Sequence, residues 1–379
     1  MTEKKKVVFL TGTRADFGKL KPLINVVENS DLFECYVFAT GMHTLSRYGF
    51  TFREIEKQGY KNIFVYMNQT STTEMDMVLA NTIIGFGNFV KEISPDMIVV
   101  HGDRVEALAG AIVGSVNNIL TSHIEGGEIS GTIDELLRHS VSKLSHFHFV
   151  ANEEAKRRLI QMGETENSIF VIGSPDIDIM KSDTLPTLEE AKKWYAVPFD
   201  EFAVFIYHPI TTEIADLKRD TKEVVSALID SGRNYLVVYP NNDKGSDIIL
   251  EEYKRFDNRD NFRVIPSMRF EFFLRLLKTS RFIIGNSSAG VREAEVYGIP
   301  AVNIGGRQKN RTKSKNVINV SCNKKEILKA IGEAEETKFS PVSHFGAGDS
   351  HKKFYEVIKK AEIWDTPVQK QFSDLDFSY

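Results

Sequence analysis

Carboxylates crowd the stretch SHIEGGEISGTIDELLRH (122–139), where an apolar run ends in Glu125, two glycines follow, and Glu128, Asp134 and Glu135 come soon after. Such a cluster is either a solvated loop or a set of acids and bases acting on a bound substrate. Asp103, in HGDRVEALAG, closes another apolar run in the same way. Carboxylates from adjacent strand ends have their pKa values pushed apart by desolvation and mutual repulsion, so that one serves as base and another as acid. Asp103, Glu125 and Asp134 are therefore the candidate catalytic carboxylates. Glu128 reads as a loop charge, and Glu135 as the partner of Thr132 in a capping box.

Cationic and hydroxyl groups stand at other run ends. In GTRADFGKL, Arg14 and Lys19 lie near the start of a helix, where unpaired N–H groups and the helix dipole attract phosphate and Arg adds a planar donor fork. In GNSSAGVREAEVYG, Ser287 and Ser288 are placed to cap a helix starting near Gly290, with room for a diphosphate, and Glu293 could accept from ribose hydroxyls. His208, beside Pro209, could neutralise a diphosphate leaving group as an imidazolium. His43, His101 and His123 occupy similar positions, and not all of them can be functional. No histidine pair has helical HxxxH spacing and no GxGxxG follows a strand, so neither a metal nor a nicotinamide cofactor is expected.

These groups need strands to carry them. Apolar, β-branched runs at 6–12, 34–41, 96–102, 118–127, 147–152 and 168–175 alternate with helical patterns, and a second series follows at 202–209, 233–243, 262–267, 281–288, 301–306 and 316–320. Strands alternating with helices imply parallel sheets covered on both faces. A polar stretch with two prolines at 181–201 separates the series. The expectation is an α/β protein of two Rossmann-like domains, 1–185 and 186–351, with an amphipathic helix and tail at 352–379 packing back on the first. In open parallel sheets ligands sit beyond the strand carboxyl ends, so two such domains facing each other would hold a ligand in the cleft.

At 379 residues the chain exceeds the ~250–300 at which single cores stop growing. A net charge of −4 gives no global pull toward nucleic acid or anionic membrane. Two distant cysteines, a short apolar run at the N-terminus and no membrane-length segment point to a cytoplasmic protein.

Taken in order from about residue 6 to residue 330, the blocks TGTRADFGKLKPL, GMH, HGDRVEALAG, HIEGGEISGTIDELLRHSVSKLSH, GSPDID, HPITTE, YPNNDKGS, GNSSAGVREA and GGRQKNR resemble the hydrolysing UDP-N-acetylglucosamine 2-epimerases. Ala15-Asp16 looks like the hydrolysing branch, since the non-hydrolysing epimerases usually carry Pro-Glu there. With no kinase domain following, the likeness is to the monofunctional bacterial form. The resemblance implies a GT-B-type pair of domains with the active site in the interdomain cleft. It also implies a cofactor-free reaction that opens sialic acid synthesis, and a homodimer or homotetramer. UDP departs with loss of the C2 proton to give 2-acetamidoglucal; water then adds at C1 and C2 is reprotonated on the other face.

Carried over by motif, Asp103, Glu125 and Asp134 are the catalytic carboxylates, with acid and base unassigned. His208 and Arg14 match phosphate-contacting positions, and Ser288 and Glu293 phosphate and ribose positions. Lys19, His43, Arg104, His123, Ser267, Ser287 and Arg307 complete the substrate-binding set. Three enzyme alternatives stay open: the same reaction on UDP-2,4-diacetamido-2,4,6-trideoxyglucose, epimerisation without UDP loss, and glycosyl transfer. A passive nucleotide-sugar binder is the remaining one, and it would not gather carboxylates at an anion site.

Overall fold

The computed structural model describes residues 4–130, 133–183, 185–210, 212–308, 314–342 and 344–374. They divide into two compact units, one running to Glu128 and resuming over Asp134–Ser182 and from Phe345 on, the other made of Ile129–Ile133 and Asp183–His344.

The first unit is built on β1 (Lys5–Thr11), β2 (Phe33–Ala39), β3 (Ile63–Val65), β4 (Met97–His101), β5 (Leu120–Ile124), β6 (Phe147–Val150) and β7 (Ile169–Val171). They form a seven-stranded sheet in the order β3-β2-β1-β4-β5-β6-β7, with every pairing parallel. Both faces are buried, which is why β1 reads as a continuous apolar run. Val7 and Phe9 enter one core cluster, while Val8 and Leu10 enter another on the opposite side. The chain runs from β1 outward through β2 and β3, then returns to place β4 on the other side of β1. The carboxyl ends of β1 and β4 therefore flank the point where the winding reverses, the usual ligand crevice of such sheets.

The second unit repeats the scheme with β8 (Ala203–Ile206), β9 (Tyr235–Val238), β10 (Phe262–Ile265), β11 (Ile283–Gly285), β12 (Ala301–Ile304) and β13 (Val317–Val320), ordered β10-β9-β8-β11-β12-β13 and all parallel. Its reversal falls between β8 and β11. Gly285 closes β11 at φ +129°, and a Cβ there would stand 1.9 Å from the Ile206 carbonyl oxygen, so only glycine lets these two strands end side by side.

All twelve expected runs contain strands; β3 was not expected. It is a three-residue edge strand with Phe64 and Val65 exposed, too short and too one-sided to stand out in the sequence. Unit boundaries fall at 182/183 and 344/345 rather than 185 and 351. The second shift has a clear cause. Ser174 N–H donates to the Phe345 carbonyl, and Asp178 accepts from the N–H groups of Ser350 and His351, tying 345–351 to the first unit.

The segment expected as one helix over 352–365 is two, Ser350–Ile358 and Ala361–Trp364. The break is stabilised by the Trp364 indole N–H, which donates to the Ile358 carbonyl at 2.8 Å. Phe354, Ile358 and Ile363 lie in the first unit's core, with Phe354 edge-on to Phe149 at 4.7 Å. Among the described residues no helix is long and apolar enough to cross a membrane. Removing a fully buried phenyl leaves a cavity, so Phe354→Ala should lower unfolding free energy by about 3 kcal/mol, read as a lower urea midpoint. An unchanged midpoint would show that the C-terminal segment adds nothing to that core.

Candidate functional site

At the reversal point of the first sheet, Thr13 caps the helix Arg14–Glu28 by accepting from Asp16 N–H at 3.1 Å. The Asp16 carboxylate folds back over the turn. Its Oδ2 accepts from Gly12 N–H at 3.0 Å and from the Thr11 hydroxyl at 2.8 Å. Its Oδ1 lies 2.8 Å from Nδ1 of His101, the last residue of β4. The other ring nitrogen, Nε2, is 3.1 Å from Glu125 Oε2, and the Ser174 hydroxyl donates to Glu125 Oε1. Burial works against a charged His101, but the hydrogen bonds and charges of Asp16 and Glu125 outweigh it and hold its pKa up to about 9. His101 is thus an imidazolium at neutral pH, donating to a carboxylate on each side.

Glu125 sits just past β5 at φ +64°, a left-handed conformation that costs a side-chain-bearing residue on the order of 1 kcal/mol. Its N–H donates to the Phe149 carbonyl, which fixes the turn. A glutamate held there at such a cost points to a role for its carboxylate.

Asp103 pairs with the guanidinium of Arg138, which is 1% exposed and also donates to the Glu128 carbonyl at 3.0 Å. Burial disfavours the charged guanidinium, and Asp103, Glu128 and Asp134 together hold it above its usual range. Asp134 lies one turn before Arg138 on the helix Ile133–Leu144, partly buried. Glu128 is buried, which overturns its reading as a loop charge: it belongs to the field that keeps Arg138 ionised. Glu135 faces outward, 3.9 Å from His139, while Thr132, its expected capping partner, lies outside the described residues.

Two residues expected to bind substrate, His43 and His123, are fully buried inside the fold instead. His43 is fully buried, with Nε2 3.2 Å from the Thr11 hydroxyl and Nδ1 2.7 Å from that of Thr51; burial, reinforced by Arg14, pushes its pKa down to about 4 despite Asp16. His123 is also fully buried, between the Gly102 carbonyl at 2.8 Å and the Ser142 hydroxyl at 2.9 Å, and burial pushes it down to about 3. Both are neutral parts of the wall. Lys19 pairs with the buried Asp176 at 3.2 Å. Arg14 opens the helix and is partly exposed, and Arg104 Nε donates to Glu106 at 3.2 Å.

In the second unit Asn286, just past β11, grips the backbone of His208. Its Oδ1 accepts from His208 N–H at 2.7 Å and its Nδ2 donates to His208 O at 2.9 Å. Asn241 N–H donates to His208 Nδ1 at 3.0 Å, so in this network the proton of the neutral ring resides on Nε2. The Asn286 carbonyl in turn accepts from Arg307 at 3.3 Å and Gln308 at 2.9 Å. Ser287 accepts from Ala289 N–H and caps a single 3-10 turn, Ser288–Gly290; the α-helix begins only at Glu293 and is five residues long. This corrects the expected helix at Gly290. So short a helix has little dipole. Glu293 is buried, and Ser267 is partly exposed two residues beyond β10. The last residues of the GGRQKNR block lie outside the described part.

Asp16, His101, Ser174, Arg138 and Asn286 were not in the expected set. Asp16, His101 and Asn286 carried a signal as residues at or just past strand ends; Ser174 and Arg138 carried none. Among the described residues no cluster of histidine, cysteine and carboxylate side chains could hold a metal ion.

Carboxylates and a charged imidazole at one strand-end crevice, with a second imidazole and hydroxyls at another, fit an enzyme of the two-domain parallel α/β class. More particularly, the chain belongs to the UDP-N-acetylglucosamine 2-epimerase family, whose model matches residues 25–359. It is 46% identical over 376 residues to a UDP-N-acetylglucosamine 2-epimerase of Neisseria meningitidis serogroup B, covering 98% of this chain and 100% of that one. To the UDP-N,N'-diacetylbacillosamine 2-epimerase (hydrolyzing) of Legionella pneumophila it is 33% identical, covering 97% and 98%. The fold matches that of Methanocaldococcus jannaschii UDP-GlcNAc 2-epimerase, solved in complex with UDP-GlcNAc and UDP, with a TM-score of 0.79 at 21% identity over 93% of this chain and 99% of that one.

The folded-state pKa of His101, about 9, exceeds its ordinary 6.5, so its contribution to stability is complete below pH 6.5 and is lost as pH rises through 9. The stability lead of the native chain over His101→Gln should therefore shrink by up to about 3 kcal/mol between pH 6 and 10 in urea titrations. A lead independent of pH would mean that His101 is neutral.

Proposed function

We propose that the protein is a hydrolysing 2-epimerase converting UDP-N-acetylglucosamine and water to N-acetylmannosamine and UDP, thereby opening a route to sialic acid. The observation that carries this is the pair of carboxylates at the first sheet's strand ends held in unlike charge settings, Glu125 against His101 and Ser174, Asp103 against Arg138. Anion binding alone has no use for them; moving a proton off and onto carbon does.

The C2 proton is not adjacent to a carbonyl, so its removal must accompany departure of the leaving group. The C1–O bond breaks with its electron pair passing to UDP, oxocarbenium character builds at C1, and a carboxylate takes the C2 proton as the C1=C2 bond forms. Arg14, His208 through its Nε2–H, and Ser288 carry the developing negative charge on the diphosphate. Glu293 takes the ribose hydroxyls, with Ser267, Ser287 and Arg307 around the nucleotide. Water then adds its hydroxide at C1 while C2 receives a proton on the opposite face. Asp103, Glu125 and Asp134 share the proton transfers and the orientation of water.

The hydrolysing outcome is supported by Ala15-Asp16, where Asp16 holds His101 charged beside Glu125. It is also supported by the Legionella relative named as hydrolyzing. That relative brings a second substrate into play, the diacetamido-trideoxy sugar, which differs at C4 and C6. The greater identity to the Neisseria enzyme favours UDP-N-acetylglucosamine.

Proton NMR in deuterated water tests the reading directly. UDP-N-acetylglucosamine should yield free UDP and N-acetylmannosamine carrying deuterium at C2. Accumulation of intact UDP-N-acetylmannosamine would overturn hydrolysis, and turnover confined to the diacetamido substrate would move the assignment to that sugar. Asp103→Asn and Glu125→Gln should keep UDP binding and lose at least about a hundredfold in kcat, and His208→Ala should slow UDP release. Near-normal rates in either carboxylate variant would remove that residue from the chemistry.

A further inference from the structure

The C-terminal strand of chain beyond Trp364 lies across the end of the helix that carries Asp134 and Arg138. Lys370 Nζ sits 3.0, 2.9 and 2.6 Å from the carbonyl oxygens of Ser142, Lys143 and Ser145, and 2.5 Å from Glu164 Oε2. The last carbonyls of a helix have no partner within it and carry the negative end of its dipole, so an ammonium there fixes the helix end in place. Glu164 completes the grip. Burial opposes its ionisation, but His148, Lys370 and Lys143 hold its pKa down to about 2. The strap is seated by two further bonds, Ser373 N–H to the Gly163 carbonyl at 3.0 Å and His146 Nε2 to the Val368 carbonyl at 2.9 Å.

From this end a continuous line of hydrogen bonds leads to the catalytic turn. The Gly102 carbonyl can only accept, so the neutral His123 must carry its proton on Nε2 and accept at Nδ1 from the Ser142 hydroxyl. Gly102 bears φ +72° and is followed at once by Asp103, whose carboxylate is held by Arg138 of the same helix. The helix therefore grips the Asp103 turn twice, at the carboxylate through Arg138 and at the carbonyl behind it through Ser142 and His123.

We propose that Lys370 is a positioning residue for the reaction, setting the Asp103 turn through the end of the Ile133–Leu144 helix, Ser142 and His123. The proposal rests on the function given above only for its kinetic readout; the structural linkage stands without it.

Three full-length variants test it: Lys370→Met, Ser142→Ala and the double substitution. Each single change should lower kcat on UDP-N-acetylglucosamine about tenfold with KM within about twofold, since displacement of a catalytic group by a fraction of an ångström costs rate rather than binding. Because both act along one line, the double variant should be no slower than the slower single. Ser142→Ala leaves the lysine–glutamate grip intact, so it reports even where Lys370→Met does not fold. A kcat within twofold of the native value in Ser142→Ala, or losses that multiply in the double variant, would overturn the proposal. Amide hydrogen exchange over residues 101–106 reports independently of any substrate. Faster exchange there in Lys370→Met or Ser142→Ala supports the linkage even if UDP-N-acetylglucosamine is not turned over. Exchange unchanged in both overturns it.

Discussion

A buried imidazolium between two carboxylates is the constraint on which the first unit's chemistry depends. His101 holds its charge against burial through Asp16 and Glu125, and neither carboxylate is near it in sequence. The fold supplies them. Reversal of strand order between β1 and β4 brings the β1 turn, with Asp16, against the end of β4, and parallel pairing of His101 with Ile124 sets Glu125 one residue beyond. The left-handed backbone of Glu125 is then intelligible as the local cost of turning its carboxylate onto the ring.

Most of the scaffold was legible from residue order. Twelve of its strands lie within apolar runs because both faces of each sheet are covered, and Asp103, Glu125 and His208 stand at strand ends as read. What was not legible were the states of the side chains. His43, His101 and His123 have similar local surroundings, yet two are neutral wall residues and one is charged. The difference lies in partners from other elements: hydroxyls and a carbonyl for the first two, a pair of carboxylates for the third. Arg138 hid for the same reason, since its link to Asp103 spans 35 positions and shows only when helix and turn are in place. The pairing of Lys19 with Asp176 hid likewise, since the two lie on different helices.

The two units solve opposite electrostatic problems with one architecture. In the second, the reversal between β8 and β11 again brings two strand ends together, but the meeting residues are His208 and Asn286. Asn286 uses both ends of its amide on the His208 backbone, and Asn241 occupies the Nδ1 lone pair. In the neutral ring Nε2 is then the hydrogen-bond donor. The first unit instead gathers negative charge, offset internally by His101 and Arg138.

That separation follows from the proposed reaction itself. A site that must both stabilise a departing dianion-like diphosphate and remove a proton from carbon needs cations or donors for one task and carboxylates for the other. In the proposed reaction Arg14, His208 and Ser288 serve the first task, and Asp103, Glu125 and Asp134 the second. Within the first unit Asp103 and Glu125 each have their own cation. Arg138 is fixed in charge, while His101 can lose its proton as pH rises through 9, so Glu125 is the carboxylate whose surroundings respond to proton availability. This asymmetry makes Glu125 the better candidate for the carboxylate that exchanges a proton with C2, and Asp103, locked to a guanidinium that cannot release one, the better candidate for orienting water at C1.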